Sequence, residues 1–301
     1  MNTLKIFPQW KRITYTCTTV CNYSCSYCTE YHYNGKYRWQ DNIVPLLNLT
    51  NEFRKESPLI FDIMGGEPTL WPELQDFCKT IVNSSTLPTA VTFTTNGSRT
   101  INYWKKFDAP IDELGFSFHP ESANEDHFIN VFRELHSRYR IFCVLMMPVE
   151  HFEKIKMFYN RLLESGLEIN VRIKLISDWH HGTGLLSTYT KEMLTFAKER
   201  FSRSKIKSIV SYDFFVDDKK TQLNEHLINT SNNYTGWKCY AGRDNLVIEP
   251  NGEIFGSHCK ITKSFGNINS KYNIISDPVI CNKPSCVCGT DVQIYKQNEI
   301  L

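Results

Sequence analysis

What the sequence lacks narrows what the chain does. No apolar stretch among its 301 residues reaches the roughly 20 residues that span a bilayer. Met1 to Trp10 scatter polar side chains where a secretory signal would carry an unbroken apolar core. A membrane location is therefore not expected, and a cytoplasmic one is. Charge of one sign is also lacking: 34 Lys and Arg stand against 32 Asp and Glu, a net charge of +2, and no basic run occurs. Without that electrostatic footprint, binding to a nucleic acid backbone is disfavoured. No internal repeat appears. With 41% hydrophobic and 13% aromatic residues, the chain buries a large core, as one domain or as one domain with an appendage. Cysteine, by contrast, is plentiful. Eleven of them, an odd number in a large chain without a signal peptide, point to reduced thiols and metal ligation, not disulfides.

Three of these cysteines lie in Cys21-Asn-Tyr-Ser-Cys25-Ser-Tyr-Cys28, a short loop after an apolar, β-branched run. Structural iron–sulfur clusters usually fill all four corner irons with thiolates, as zinc sites fill four positions. A Cys-x-x-x-Cys-x-x-Cys spacing with no fourth ligand nearby leaves one iron open to an exchangeable small molecule. A zinc knuckle is the alternative for clustered cysteines taken alone. A second segment, Met64-Gly65-Gly66-Glu67-Pro68, follows the strand-like run Leu59 to Ile63, and glycines there allow close backbone approach.

The two motifs, in this order, resemble the signature of the radical S-adenosylmethionine (SAM) enzymes. The resemblance implies that Cys21, Cys25 and Cys28 hold a 4Fe–4S cluster whose open iron chelates SAM. It also implies that this cluster cleaves SAM to a 5′-deoxyadenosyl radical. The aromatic residue before the third cysteine is matched by Tyr27, expected near the adenine. Gly65, Gly66, Glu67 and Pro68 match the segment whose backbone holds the SAM amino group. Thr95 and Asn96, in Thr94-Thr95-Asn96-Gly97, resemble the family's Thr-Asn-Gly turn.

From residue 12 to about 176, β-branched or aromatic runs alternate with amphipathic stretches, the pattern of βα units around a parallel sheet. Strands are expected at 12–18, 59–64, 89–95, 113–118, 140–147 and 169–176. Helices are expected at 43–55, 72–83, 100–107, 123–138 and 151–165. This α/β pattern resembles the partial (β/α)6 barrel of the family, with chemistry at the C-terminal ends of the strands. Thr190 to Phe201 reads as a helix capped by Thr190, Ile206 to Val216 as strand-like, and the Asn-rich segment 224–235 as a loop or linker. The expected division is a barrel over 1–200, a bridging segment over 201–236 and a cysteine-rich module over 237–301.

That last module holds five of the eleven cysteines. Pro250-Asn251-Gly252 between apolar runs signals a hairpin, which brings Cys239 and Cys259 together. Cys281, Cys286 and Cys288 follow. The arrangement resembles the auxiliary-cluster modules called SPASM and twitch. It departs from them in having six residues between Gly252 and Cys259 where four are usual, and in lacking the long cysteine series. Five cysteines fill one four-ligand 4Fe–4S cluster and leave one thiol over. Which four bind is left open, and a structural zinc site is the alternative.

Among single residues, Ser117 and His119 end the fourth strand, where the family places polar contacts to SAM. His119 reads equally as a hydrogen-bonded turn residue before Pro120. Arg172 alternates with apolar neighbours, facing either the lumen, where it meets the SAM carboxylate, or an outer salt bridge. His180 and His181, before Gly182-Thr183-Gly184, form either a cover for the site or a solvated loop. Cys17, Cys78 and Cys143 fall on strand and helix patterns as small core residues.

No catalytic side chain is assigned. The resemblance implies an enzyme that takes hydrogen from a peptide or protein side chain, a maturase reaction such as cross-linking, oxidation or epimerisation. Only about twenty residues precede Cys21, short for the leader-binding domain that many such enzymes carry there. A small-molecule substrate, a sugar, aminoglycoside or nucleoside, is the second reading. A non-catalytic metal-binding protein is the third, disfavoured because Gly65-Gly66-Glu67-Pro68 has no structural need of a cluster. An electron donor such as flavodoxin or ferredoxin is implied for the enzyme.

Overall fold

The computed structural model describes residues 3–4, 11–28, 39–55, 57–84, 89–178, 184–185, 188–200, 213–216 and 219–298. Six strands form the centre: β1 (Lys11–Thr18), β2 (Leu59–Gly65), β3 (Thr89–Thr95), β4 (Glu113–Phe118), β5 (Arg140–Met147) and β6 (Asn170–Leu175). Each pairs parallel to the next in chain order. Five helices connect them: α1 (Trp39–Arg54), α2 (Leu74–Asn83), α3 (Ile101–Lys106), α4 (Glu125–Leu135) and α5 (Phe152–Glu164). These are the strands and helices expected from the sequence, with ends shifted by a few residues, and the architecture is the expected α/β partial barrel.

Side chains alternate across each strand, so one face of the sheet is apolar and covered by helices. Ile13, Phe61, Val91, Phe116, Leu145 and Ile173 share one core with Phe77, Trp104, Phe132 and Phe158 from the helices. The opposite face is the lumen and carries polar groups. There the Thr92 hydroxyl donates to Asp62 at 2.8 Å, and the Arg172 guanidinium lies 4.9 Å from the Phe142 ring centroid. Gly115 leaves room for that ring, since a Cβ there would meet it at 2.3 Å.

Beyond the barrel come α6 (Lys191–Glu199) and α7 (Leu223–Asn229), then short strands β7 (Lys238–Cys239), β8 (Asn245–Ile248), β9 (Ile254–Phe255), β10 (Val279–Ile280) and β11 (Lys296–Gln297). Thr190 caps α6 as expected, accepting from the Met193 N–H. β8 and β9 form the expected hairpin, turning at Gly252 with φ +85°. The hairpin does more than the sequence suggested: β8 also pairs parallel to β1, from Asn245 opposite Arg12 to Ile248 opposite Tyr15. The sheet therefore has eight strands, ordered β9-β8-β1-β2-β3-β4-β5-β6. β7 pairs with both β10 and β11 in a second sheet. A second core gathers Leu223, Leu227, Tyr234, Cys239, Cys281, Cys286, Val292 and Ile294.

The segment read as a polar loop from Asn224 begins with α7, because Leu223 and Leu227 bury into the second core. Asn224 is itself buried, and its amide donates to the carbonyls of Ile173 at 2.9 Å and Ala197 at 3.1 Å. His180, His181 and residues 206–212 lie outside the described residues. Among the described residues, no helix is long and apolar enough to cross a membrane.

Candidate active site and candidate metal centre

The cysteine loop begins at a β-bulge. Thr16 pairs with Met64 and Thr18 with Gly65, so Cys17 is skipped and the end of β1 is re-aimed. The chain then crosses the end of β2, where Gly66 N–H donates to Thr18 O and Glu67 N–H to Val20 O, both at 2.8 Å. A Cβ on Gly65 would lie 2.3 Å from Thr18 O, and one on Gly66 2.2 Å from Val20 O. The two glycines are thus demanded by the approach of the chain's own backbone, a requirement distinct from the cofactor contact expected of them.

Glu67 next to them is fully buried. Its carboxylate accepts from Thr69 N–H at 2.9 Å and the Thr69 hydroxyl at 2.5 Å, capping the short turn that Pro68 opens. It also accepts from the Thr95 hydroxyl and from Asn96 N–H, both at 2.6 Å. Burial raises its pKa and these hydrogen bonds oppose the rise. Asn96, held this way, donates from its amide to Asn22 at 2.9 Å and reaches Cys21 Sγ at 3.8 Å. Three strand ends are thereby joined to the cysteine loop.

The other side of the loop is held by the segment after β4. The Tyr27 hydroxyl and His119 Nδ1 are 2.9 Å apart, and the two rings are stacked with centroids 5.9 Å apart. Glu121 accepts from Ser26 N–H at 2.9 Å and from the Ser26 hydroxyl at 2.5 Å. Burial, reinforced by the Lys174 charge, lowers the His119 pKa to about 4, so its ring is neutral at pH 7. Burial raises Tyr27 strongly. Ser117 is half-buried at the end of β4, and Arg172 is buried on the lumen face.

Burial also raises the Cys21, Cys25 and Cys28 thiols, Cys25 to about 11, so each prefers its proton until a metal displaces it. Among the described residues, no three cysteine sulfurs lie within 4.8 Å of one another.

In the tail, Cys239, Cys259, Cys281 and Cys286 line one cavity with Asp291 and Lys296. The Asp291 carboxylate accepts from His258 N–H at 2.9 Å and Cys259 N–H at 2.7 Å, fixing that cysteine. Burial raises the Cys239, Cys259 and Cys286 thiols, the last to about 12. Burial alone would lower the Lys296 ammonium, but charge on Cys286, Cys239, Asp291 and Cys259 outweighs it and raises the pKa. Cys288 is not among the residues lining this cavity. Burial raises the Cys288 thiol to about 11, and the Lys174 ammonium on β6 partly opposes the rise there and at Cys28. Cys17, Cys78 and Cys143 are buried in the barrel core.

Sequence reasoning missed Asn22, Glu121, Lys174, Asp291 and Lys296. Only Glu121 carried a signal, as the residue closing His119-Pro120-Glu121 at a strand end.

The sequence model of the Radical SAM superfamily matches residues 15–177. The GTP 3',8-cyclase of Psychromonas ingrahamii is 32% identical over 125 residues, 39% of this chain and 36% of that protein. Among solved structures, Streptococcus suis SuiB bound to precursor peptide SuiA superposes with a TM-score of 0.56 at 13% identity. That match covers 89% of this chain and 64% of SuiB. For anSMEcpe with bound AdoMet and a peptide the TM-score is 0.54 at 16% identity, over 87% of this chain and 78% of that one. The chain spans less than two thirds of both the cyclase and SuiB, and at these identities the structural likeness shows the fold alone. The superfamily match covers more than half of the chain and includes both site motifs, so the chain belongs to the radical SAM superfamily.

Proposed function

We propose that this radical SAM enzyme modifies a peptide or protein side chain, using a SAM-cleaving 4Fe–4S cluster on Cys21, Cys25 and Cys28. An auxiliary 4Fe–4S cluster on Cys239, Cys259, Cys281 and Cys286 completes the reading. The observation that carries it is the joining of the cysteine loop to three strand ends through Thr18, Val20, Glu67 and Asn96. When bound, the cluster and SAM supply a 5′-deoxyadenosyl radical able to take hydrogen from an unactivated carbon.

The chain's own residues do the rest. Three thiolates leave one coordination position for SAM. Glu67 holds the Thr95-Asn96 turn, and Gly65, Gly66 and Pro68 bring the backbone to the SAM amino group. Tyr27 and His119 wall the adenine side, and a neutral His119 adds no charge there. Ser117 and Arg172 provide a polar contact and a cation for the SAM ribose and carboxylate. An electron donor such as flavodoxin or ferredoxin and a cytoplasmic location belong to the same reading.

The peptide substrate is supported by two fold neighbours, SuiB and anSMEcpe, each bound to a peptide. A small-molecule substrate is favoured instead by the sequence relative, a GTP 3',8-cyclase. Incubating the reconstituted enzyme with SAM, dithionite and any short peptide encoded beside its gene tests the choice. A mass change in the peptide supports the maturase reading. An unmodified peptide alongside conversion of a sugar or nucleoside supports the second.

A further inference from the structure

Lys296 is a lysine where a lysine is costly. The residue is 2% exposed, and among the described residues its ammonium hydrogen-bonds to backbone carbonyls and to no carboxylate. Buried charges are normally paired. Its ammonium donates instead to three backbone carbonyls, Asp291 at 2.7 Å, Ile294 at 3.1 Å and Val292 at 3.4 Å, and lies 5.3 Å from the Tyr234 ring centroid. The nearby Asp291 carboxylate is committed to the His258 and Cys259 N–H groups. Lys296 on β11 is the cross-strand partner of Cys239 on β7, and both line the four-cysteine cavity. Four thiolates around an iron–sulfur cube leave a net negative charge, which grows by one when the cube takes an electron.

We propose that Lys296 is the fixed counter-charge of the tail's metal–thiolate group, offsetting its negative charge and raising its reduction potential. The inference rests on the four-cysteine reading above. A carbonyl-anchored ammonium favours the more negative, reduced state by Coulomb attraction, which is strong where water is excluded. The three carbonyls hold the cation in place without neutralising it, which a carboxylate partner would do.

The test uses the full chain carrying C21A, C25A and C28A, so that only the tail group is read, with and without K296M, K296Q and K296R. After anaerobic reconstitution, iron is counted and the potential is titrated with dithionite by electron paramagnetic resonance. At the parent's midpoint, the neutral variants should show a reduced-to-oxidised ratio lower by about tenfold, ~59 mV for a one-electron couple. K296R, which keeps the charge, should stay close to the parent. Should the neutral variants take up no iron, its retention in K296R alone supports the counter-charge, and equal loss in K296R overturns it. An unchanged potential in K296M and K296Q with the cluster present also overturns it. A parent without tail iron removes the four-cysteine reading itself, and the inference with it.

Discussion

The Glu67 carboxylate accepts the Asn96 N–H at 2.6 Å, tying the end of β2 to the end of β3 from a position with no solvent exposure. Because Asn96 in turn reaches Asn22 and Cys21, this one carboxylate sets where the cysteine loop sits. Glu67→Ala would leave buried donors on Thr69, Thr95 and Asn96 unpaired. The expected loss is about 3 kcal/mol of barrel stability, since hydrogen bonds to a charged group are worth more than neutral ones. Urea unfolding measures it, and Glu67→Gln, which keeps an acceptor oxygen, should lose less. An unchanged midpoint in Glu67→Ala would show that the contact does not hold the site.

Gly66→Ala tests the crossing of the cysteine loop over β2. Its Cβ would fall 2.2 Å from the Val20 carbonyl, a backbone atom that yields only by moving the loop. After reconstitution the variant should bind about four irons fewer than the parent, the content of one cluster. Circular dichroism should stay close to the parent's, since Gly66 lies just beyond the end of β2. Full iron content would contradict the packing argument.

His119 predicts a pH dependence with a definite sign. Its pKa falls from about 6.5 unfolded to about 4 folded, so the unfolded chain takes up the proton first. The stability contribution is present above pH 6.5 and is lost as pH falls from there through 4, by up to about 3 kcal/mol. Carboxylates titrate in the same window, so the comparison is with His119→Asn in metal-free protein. The parent should lose more stability than the variant between pH 6.5 and 4. Parallel pH profiles would mean that His119 is not buried neutral.

Cysteine replacements in the tail separate ligands from bystander. With both clusters assembled the protein should hold about eight irons. Alanine at Cys239, Cys259, Cys281 or Cys286 should remove about four of them, whereas Cys288→Ala should remove none. Zinc in place of tail iron, or iron lost on changing Cys288, would contradict the assigned set.

How legible all this was depended on the range of the forces involved. β2 was readable because Leu59-Ile60-Phe61-Asp62-Ile63 is a short apolar run closed by glycines, and the cysteines announce themselves by spacing. The docking of β8 on β1 was not readable, because Asn245 and Arg12 meet across most of the chain. Glu121 grips Ser26 from 95 residues away, beyond any local pattern. Lys296 reads as a surface residue by type, and only its place opposite Cys239 explains its burial. α7 was hidden by its asparagines, of which Asn224 turned out to serve as an interior hydrogen-bond donor.

Everything proposed for the barrel depends on Cys21, Cys25 and Cys28 holding a cluster that cleaves SAM at the end of the parallel sheet. The most direct test is 5′-deoxyadenosine formation by anaerobically reconstituted protein given SAM and dithionite, beside the C21A/C25A/C28A variant. The parent should form 5′-deoxyadenosine and the triple variant none, although the tail's four cysteines are intact in both. Cleavage undiminished in the triple variant, or absent from a parent with its full iron, would show that these three cysteines do not hold the SAM-cleaving cluster.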